Sequence, residues 1–234
     1  EDKIIKFENF KKDFLNKNFQ NIVIKNIWEL IDEFNISTKV INDLFDGINS
    51  DIKERVELKS KKELLIYSYR VAGTVGLMMA KILKVNKTNS LKSAIDLGIA
   101  MQLTNISRDV IEDKNNKRSY INENFNDIKS TISLSEKFYE NSFYSIKEIP
   151  LSFRFSILVA RRVYRKIGHK IINKNNLENY KNSGKIYVTK IEKIIETFLS
   201  IFDLIILTFT NKNDNNIEHD HSLINEEINL NERF

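Results

Sequence analysis

Apolar residues recur at three- and four-residue intervals along nearly the whole chain: Ile4, Phe7, Phe10 and Phe14, then Ile27, Leu30, Ile31 and Phe34, then Val40, Leu44 and Ile48. That period sets them on one side of a helix, so it predicts three N-terminal helices with short breaks. Ser60 begins S-K-K-E, a capping box with Glu63 at the third helical position, and a further helix is expected from there through Tyr69 to about Leu83. After a polar break at Asn86 to Asn89, the pattern predicts a helix from about Leu91 to Asp113, closed by the loop-like run Lys114 to Lys117. Ser133 to Glu136 reads as a second cap, opening a helix that stops before Pro150. The next helix, from about Ser152 to Ile172, carries the basic cluster Arg161, Arg162, Arg165 and Lys166, and the last runs from about Thr189 to Thr210. With no linker and no repeat, residues 1–210 are expected to form a single all-α domain, followed by a polar tail over 211–234.

Composition supports that class. Six glycines and one proline among 234 residues are too few for the turns of a β-sandwich or a doubly wound sheet. The absence of cysteine excludes a disulfide framework, a thiolate zinc site and a cysteine nucleophile. A net charge of +5 is small and spread along the chain, whereas a nucleic-acid reader concentrates its excess, so no nucleic-acid partner is expected. The first ten residues are charged and do not resemble a signal peptide. The longest apolar run, Thr197 to Thr210, is short of the roughly 20 residues that span a bilayer and is interrupted by Asp203, which favours a packed terminal helix over a membrane-dipping one. A cytoplasmic location is expected, with peripheral membrane contact as the alternative, and the Arg161 to Lys166 cluster is read first as a solvated face and second as a membrane patch.

Candidate chemistry concentrates in Gln102 to Asp113, QLTNISRDVIED. On a helix, with Asn105 at zero, Glu112 falls near about −20°, Asp109 near +40°, Gln102 near +60° and Asp113 near +80°. Leu103, Ile106 and Val110 border this arc of oxygen-bearing side chains with a core-facing stripe. Neighbouring carboxylates repel, so a cation must offset them; Arg108 serves one, and hard oxygens about 6 Å apart suit Mg²⁺ shared with a phosphate. The competing reading is a solvated acidic face. Tyr69 to Gly76, YRVAGTVG, is the second unusual segment: Gly73, Gly76 and Ala80 share a face with Tyr69, although a mid-helix glycine costs about 1 kcal/mol relative to alanine. Either another helix packs closely there, the favoured reading, or the missing side chains leave room for a long apolar ligand.

Together, YSYRVAGTVGLMM (67–79), LGIAMQLTNISRDVIED (97–113) and Arg118 to Tyr120 resemble the squalene/phytoene synthase family, most closely its phytoene-forming members. Gly47 and Asp51 in DGINSD resemble its G-x-x-x-D pattern, and Tyr164 and GKIYVTKIEK (184–193) resemble its C-terminal region, so the likeness covers roughly residues 37 to 200. The resemblance implies an isoprenoid-synthase-like helical fold around a central cavity, condensing two prenyl diphosphates head to head. For phytoene formation both are geranylgeranyl diphosphate, in carotenoid biosynthesis. It implies Mg²⁺, replaceable by Mn²⁺, on Asn105, Asp109 and Asp113 with Glu112 and Gln102 in support, and Arg108, Arg118 and Lys185 on phosphate oxygens. Tyr69 is expected to face the reacting carbons, Gly73, Gly76 and Ala80 to shape the prenyl channel, and Tyr164 to contact substrate. No NADPH is expected for the phytoene reaction.

Two departures stand out. The family's first Asp-rich motif, preceded by Arg, is not found: Asp43 and Asp46 are three apart, Asp46 and Asp51 five apart. As the chain does not begin with Met, it is read as an N-terminally incomplete fragment, inactive alone. Lys185 stands where relatives often place Arg. The alternatives are a squalene or dehydrosqualene synthase using farnesyl diphosphate, and a non-catalytic assembly factor of the same fold; retention of Asn105, Asp109 and Asp113 argues against the latter. His169, His219 and His221 are not read as a metal set, because His169 sits in a Lys/Arg-rich helix and the other two lie in the expected polar tail, where H-D-H metal binding is the minor alternative.

Overall fold

The computed structural model describes residues 2–210 and 219–234. Three N-terminal helices, α1 (Asp2–Leu15), α2 (Ile22–Glu33) and α3 (Thr38–Asp51), follow the predicted apolar pattern. Asn21 and Ser37 cap α2 and α3 by accepting from the backbone amides of Val23 and Lys39. Phe7, Phe10 and Phe14 meet the edge of Phe45 on α3, and this aromatic group closes one end of the molecule.

Ser60 caps α4 (Lys61–Ser68) as expected, accepting from Glu63 N at 3.1 Å, while the Glu63 carboxylate reaches back one residue further, to Lys59 N at 2.8 Å. The helix does not run straight to Leu83. A π-turn at Tyr69–Gly73, in which Thr74 N donates to Tyr69 O, joins α4 to α5 (Thr74–Ile82). The extra residue rotates the face of α5 by about 100° relative to an unbroken helix, and such bulges cluster at functional sites.

The longest helix, α6 (Thr88–Asn115), runs through the centre of the fold. Leu91, Ile95, Ile99, Leu103, Ile106 and Val110 are buried along one side of it. It crosses α5 at van der Waals limit: a β-carbon on Gly76 would stand 2.2 Å from the Ala94 carbonyl oxygen, and one on Gly98 would stand 2.3 Å from that of Ala72. The close-packing reading of the small residues is therefore realised by backbone-to-backbone contact. Two short strands, β1 (Val56–Glu57) and β2 (Arg118–Ser119), pair in parallel and tie the end of α6 to the segment after α3.

The expected helix start at Ser133 is wrong. α7 spans Phe125–Phe143, capped by Asn124 accepting from Asp127 N, and Ser133 lies inside it with its hydroxyl on Lys129 O. The S-x-x-E spacing there is an incidental match within a longer helix. A 3₁₀ turn, Tyr144–Glu148, leads to Pro150, which starts α8 (Leu151–Ile172). α9 (Leu177–Asn182) follows, and α10 (Lys190–Phe209) opens with a full capping box between Thr189 and Glu192.

The basic cluster on α8 is neither a solvated face nor a membrane patch. Arg161 is buried and donates to Tyr139 O at 2.8 and 3.1 Å; Arg162 grips Asp203 on α10 at 2.6 and 2.8 Å; Arg165 bonds Glu136 on α7; Lys166 reaches Glu196. α10 consequently packs its polar side inward, burying Glu196, Ser200, Asp203 and Leu207, while Phe198, Phe202, Ile205 and Phe209 face outward, Phe202 at 61% and Phe209 at 81% exposure. Among the described residues no helix is long and apolar enough to cross a membrane.

The expected polar tail also needs correction. Residues 211–218 lie outside the described residues, but 219–234 fold back onto the body, with α11 (Ser222–Asn225) and a 3₁₀ turn at Leu230–Glu232. Ile224, Ile228 and Leu230 are buried in the same core as Leu64, Tyr67 and Ile95.

Candidate active site

One stripe of α6 carries both parts of the site. At about 100° per residue, Ala94, Gly98, Met101, Asn105, Asp109 and Glu112 all fall within roughly 40° of a common line. The first half of that line is apolar and borders a cavity of about 350 Å³ between α5, α6 and α8, walled by Val71, Gly76, Met79, Leu97, Met101 and Ile157. The second half is polar and faces a hollow of about 500 Å³ lined by Arg108, Asp109, Glu112 and Lys185. A roomier, polar hollow between the starts of α4 and α7 lies away from these acids, beside Lys59, Lys61 and Asn122.

Within the polar half the carboxylates are unequally matched. Asp109 accepts from Arg108 at 2.8 and 2.5 Å and lies 3.2 Å from Lys185 Nζ. Burial alone would raise its pKa, but the Arg108 hydrogen bonds and charge, with Lys185, outweigh that and hold it below the ordinary value. Lys185 also donates to Glu112 at 2.6 Å. Its placement is built from below: the Tyr180 hydroxyl bonds the α6 carbonyls of Ser107 and Arg108 at 2.9 and 2.8 Å, and Gly184, at φ +59°, turns the chain back over Asp109.

Asp113 has no such cation in contact. Its pKa is pushed up to about 6, first by burial and then by the charges of Asp109 and Glu112, which Arg118 and Lys185 offset only partly. One turn or two toward the cavity, the side-chain oxygen of Asn105 is buried with no hydrogen-bond partner. Gln102 is half-buried on the same arc.

Arg118 is fixed by the β1–β2 pair beside Asp113 and Tyr120, where its guanidinium donates to the Asp51 carbonyl and one terminal nitrogen is buried with no hydrogen bond, 3.8 Å from the Asp51 carboxylate. Asp51 gathers the Tyr67 and Tyr120 hydroxyls at 2.9 and 3.2 Å, and the two rings stack at 4.7 Å. Burial, then the Tyr120 hydrogen bond and the Asp51 charge, drive the Tyr67 pKa far up, keeping it a proton donor. Gly47, of the same G-x-x-x-D pattern, packs beneath Val71, where a β-carbon would stand 2.9 Å from Val71 Cγ1.

Not every predicted residue is in the site. Tyr69 is fully buried, its hydroxyl donating to Asp43 at 2.8 Å, and Asp43 is in turn gripped by Arg233 at 2.9 and 3.1 Å. It therefore does not face the cavity or the acids; the tyrosine beside the polar cluster is Tyr67, two residues earlier. Gly73 packs against Tyr69 and Ile95 rather than walling the cavity, whereas Gly76 and Ala80 do line it. Tyr164 sits partly buried between two core clusters, its hydroxyl near enough to Arg108 to act on it electrostatically. Asp51, Tyr67 and Tyr120 carry no spacing signal of their own in the sequence; what unites them is visible only once α3, α4 and β2 meet.

An all-α body with an acidic helical face running into an apolar cavity defines an isoprenoid-synthase-like protein. A model of squalene/phytoene synthases matches residues 8–126, and the chain belongs to that family. It is 35% identical over 147 residues to the 15-cis-phytoene synthase of Enterobacter agglomerans, covering 54% of this chain and 50% of that protein. It is 28% identical over 217 residues to chloroplastic phytoene synthase 1 of Solanum lycopersicum, covering 81% and 52%. A crystal structure of a dehydrosqualene synthase in complex with ligand superposes with a TM-score of 0.66 at 25% identity over 85% of this chain and 77% of that one. The squalene synthase HpnC of Alicyclobacillus acidocaldarius shares the fold, with a TM-score of 0.62 at 11% identity over 74% and 73%. The chain spans about half the length of the curated relatives it matches.

Proposed function

We propose that this chain binds a prenyl diphosphate for head-to-head condensation, with geranylgeranyl diphosphate as the substrate and phytoene as the product of the reaction it serves. The observation that carries this reading is the single α6 stripe, on which Ala94, Gly98 and Met101 line the apolar cavity and, beyond Asn105, Asp109 and Glu112 line the polar hollow. From Asp109 back to Ala94 is about 22 Å along the helix, so one extended lipid diphosphate lies along both halves.

The residues present fit Mg²⁺. Asn105 offers an orphaned buried oxygen, and Asp113 a carboxylate that burial and its acidic neighbours leave under-compensated. Asn105, Asp109 and Asp113 would hold the ion, which when bound supplies charge to stabilise a departing diphosphate. Arg108 and Lys185 orient phosphate oxygens from the open side, and Arg118, whose buried Nη1 makes no hydrogen bond, meets them from the β-pair. Tyr67 holds a proton next to this cluster. The apolar walls from Val71 to Ile157 exclude water from the chain of the substrate and from any carbocation that forms on it.

The upstream acids are otherwise engaged: Asp43 with Tyr69 and Arg233, Asp46 with Arg70 and Lys11, Asp51 with Tyr67 and Tyr120. The chain therefore offers one carboxylate side of a diphosphate site, and it binds substrate without turning it over alone. Titration of the chain with geranylgeranyl and farnesyl diphosphates, with and without Mg²⁺, tests this. Mg²⁺-dependent binding that weakens at least tenfold in Asp109→Asn, with the longer diphosphate preferred, is the expected result. Binding indifferent to Mg²⁺ and to Asp109→Asn refutes the site, and a preference for the shorter diphosphate refutes the substrate.

A further inference from the structure

A second cluster of metal-type ligands lies apart from the acidic face, between α6 and the C-terminal segment. Asp96, the residue after Ile95 on α6, is fully buried. His219 Nδ1 lies 2.5 Å from one of its carboxylate oxygens and His221 Nε2 lies 2.5 Å from the other. One ligand atom from each of the three residues lies within 4.8 Å of the other two. The backbone sets this up: His221 N bonds His219 O at 2.9 Å, a tight three-residue turn that directs both rings to the same side, stacked at 5.8 Å, while Asp220 between them faces out and bonds Ser222.

The charge arithmetic at this point is unfinished. A carboxylate removed entirely from water is costly unless paired, and among the described residues no Lys or Arg reaches Asp96; its ion-pair partners are the two histidines. The other ring nitrogen of His219, Nε2, is buried with no hydrogen-bond partner. A divalent ion resolves this with the ligands already gathered.

We propose that Asp96, His219 and His221 form a structural site for a divalent transition metal of the zinc type, pinning the C-terminal segment to α6. Two imidazole nitrogens and one carboxylate oxygen form a common zinc donor set, with water as the fourth ligand. Tetrahedral coordination holds such donors about 3.3 Å apart, between the 2.5 Å of the present nitrogen–oxygen contacts and the 4.8 Å within which the three ligand atoms lie. Hard Mg²⁺ does not favour imidazole, which separates this site chemically from the all-oxygen face at Asn105–Asp113. Because the ligands come from positions distant in sequence, the ion binds the folded chain only and adds to its stability.

Titration of chelator-treated chain with Co²⁺ under excess Mg²⁺ tests the site by visible absorption. The expected result is one Co²⁺ per chain with the intense d–d bands of four-coordinate nitrogen–oxygen ligation, displaced by Zn²⁺ and unchanged in Asp109→Asn. His219→Ala and His221→Ala are expected to weaken Zn²⁺ binding at least a hundredfold and to abolish the rise in Tm that Zn²⁺ gives the parent chain. His219→Gln, which keeps the size of the side chain, serves if an alanine variant loses its helical circular dichroism. The proposal is overturned if the parent chain shows no such bands at one equivalent, or if the histidine variants retain them; the histidines are then a hydrogen-bonded clasp alone.

Discussion

Substituting Gly76 by alanine tests whether the α5–α6 crossing is the frame of the site. The new β-carbon would stand 2.2 Å from the Ala94 carbonyl oxygen and 3.0 Å from its carbon, against ordinary contacts of 3.4–4 Å. The obstacle is backbone, so no rotamer change relieves it and the helices must part by roughly 1 Å. Parting them also opens the reciprocal contact of Gly98 with Ala72. Overpacking of this kind costs about 1–3 kcal/mol, and with backbone on both sides the upper end applies. Against it stands a gain of about 1 kcal/mol from replacing a mid-helix glycine. The net loss of about 2 kcal/mol corresponds to a Tm about 4–8 °C lower for a chain of this size.

Gly168→Ala is the matched control. There the nearest atoms are the Ile132 side-chain carbons at 3.3 and 3.5 Å, which can yield, so the helix-propensity gain should leave that variant as stable as the parent or more so. Thermal unfolding of the three proteins by circular dichroism in one buffer separates the cases. If Gly76→Ala melts at or above Gly168→Ala, the close crossing does not hold α5 against α6 and the argument fails.

Three further outcomes follow from the packing. Glu136 is held down to about 2, burial being outweighed by the hydrogen bonds and charges of His169 and Arg165; a depressed carboxylate contributes stability above about 4.5 that disappears as pH falls toward 2. Denaturant unfolding at pH 3 and 6 should therefore differ by about 1–2 kcal/mol less in Glu136→Gln, after discounting for solvent screening, and an unchanged difference contradicts the assignment. Asp203→Asn should cost about 1–3 kcal/mol by removing the paired carboxylate and leaving Arg162 on Glu196 alone, whereas Phe202→Ser on the outward side of the same helix should cost under about 0.5 kcal/mol; the opposite order in urea unfolding would mean that α10 packs the other way round. Tyr67→Phe should lose about 1–2 kcal/mol through the Asp51 hydrogen bonds, and stability equal to the parent would show that the tyrosine–aspartate cluster carries no energy.

What the sequence revealed was local. The apolar period located α1, α2 and α3, the Ser60 cap located the start of α4, and the 100° spacing of Gln102 to Asp113 gave the acidic face of α6. The failures share the opposite property. Arg161, Arg162 and Arg165 read as a free basic face because their partners Tyr139, Asp203 and Glu136 lie 22 to 41 residues away. A role for Tyr69 follows from resemblance alone, and nothing in the sequence shows that its hydroxyl is taken by Asp43 and that the chain bulges from Tyr69 to Gly73. The S-x-x-E at Ser133 competes with Asn124 and Asp127, an equally good helix start that agrees with the apolar residues Phe125, Ile128 and Ile132. The folded C-terminal segment carries only Ile224, Ile228 and Leu230 against a polar background, too few to outweigh its composition.

That segment explains how the π-turn persists. A bulge forfeits regular helix bonds, so it survives only where its surroundings over-determine it. Around Tyr69–Gly73 they do: Arg233 clamps Asp43 behind the Tyr69 hydroxyl, Glu227 pairs with Arg70 at 3.0 Å, Glu226 with Lys62 at 2.9 Å, and His221 is seated on Asp96 of α6. Residues 219–234 thus tie α3, α4, the bulge and α6 to one another from the side opposite the acids. The register that this strap holds sets Tyr67 on Asp51 and Gly76 on Ala94 at once, so the polar cluster beside Asp113 and the wall of the apolar cavity depend on the same turn. A chain end that touches neither the acids nor the cavity is for this reason part of what shapes both.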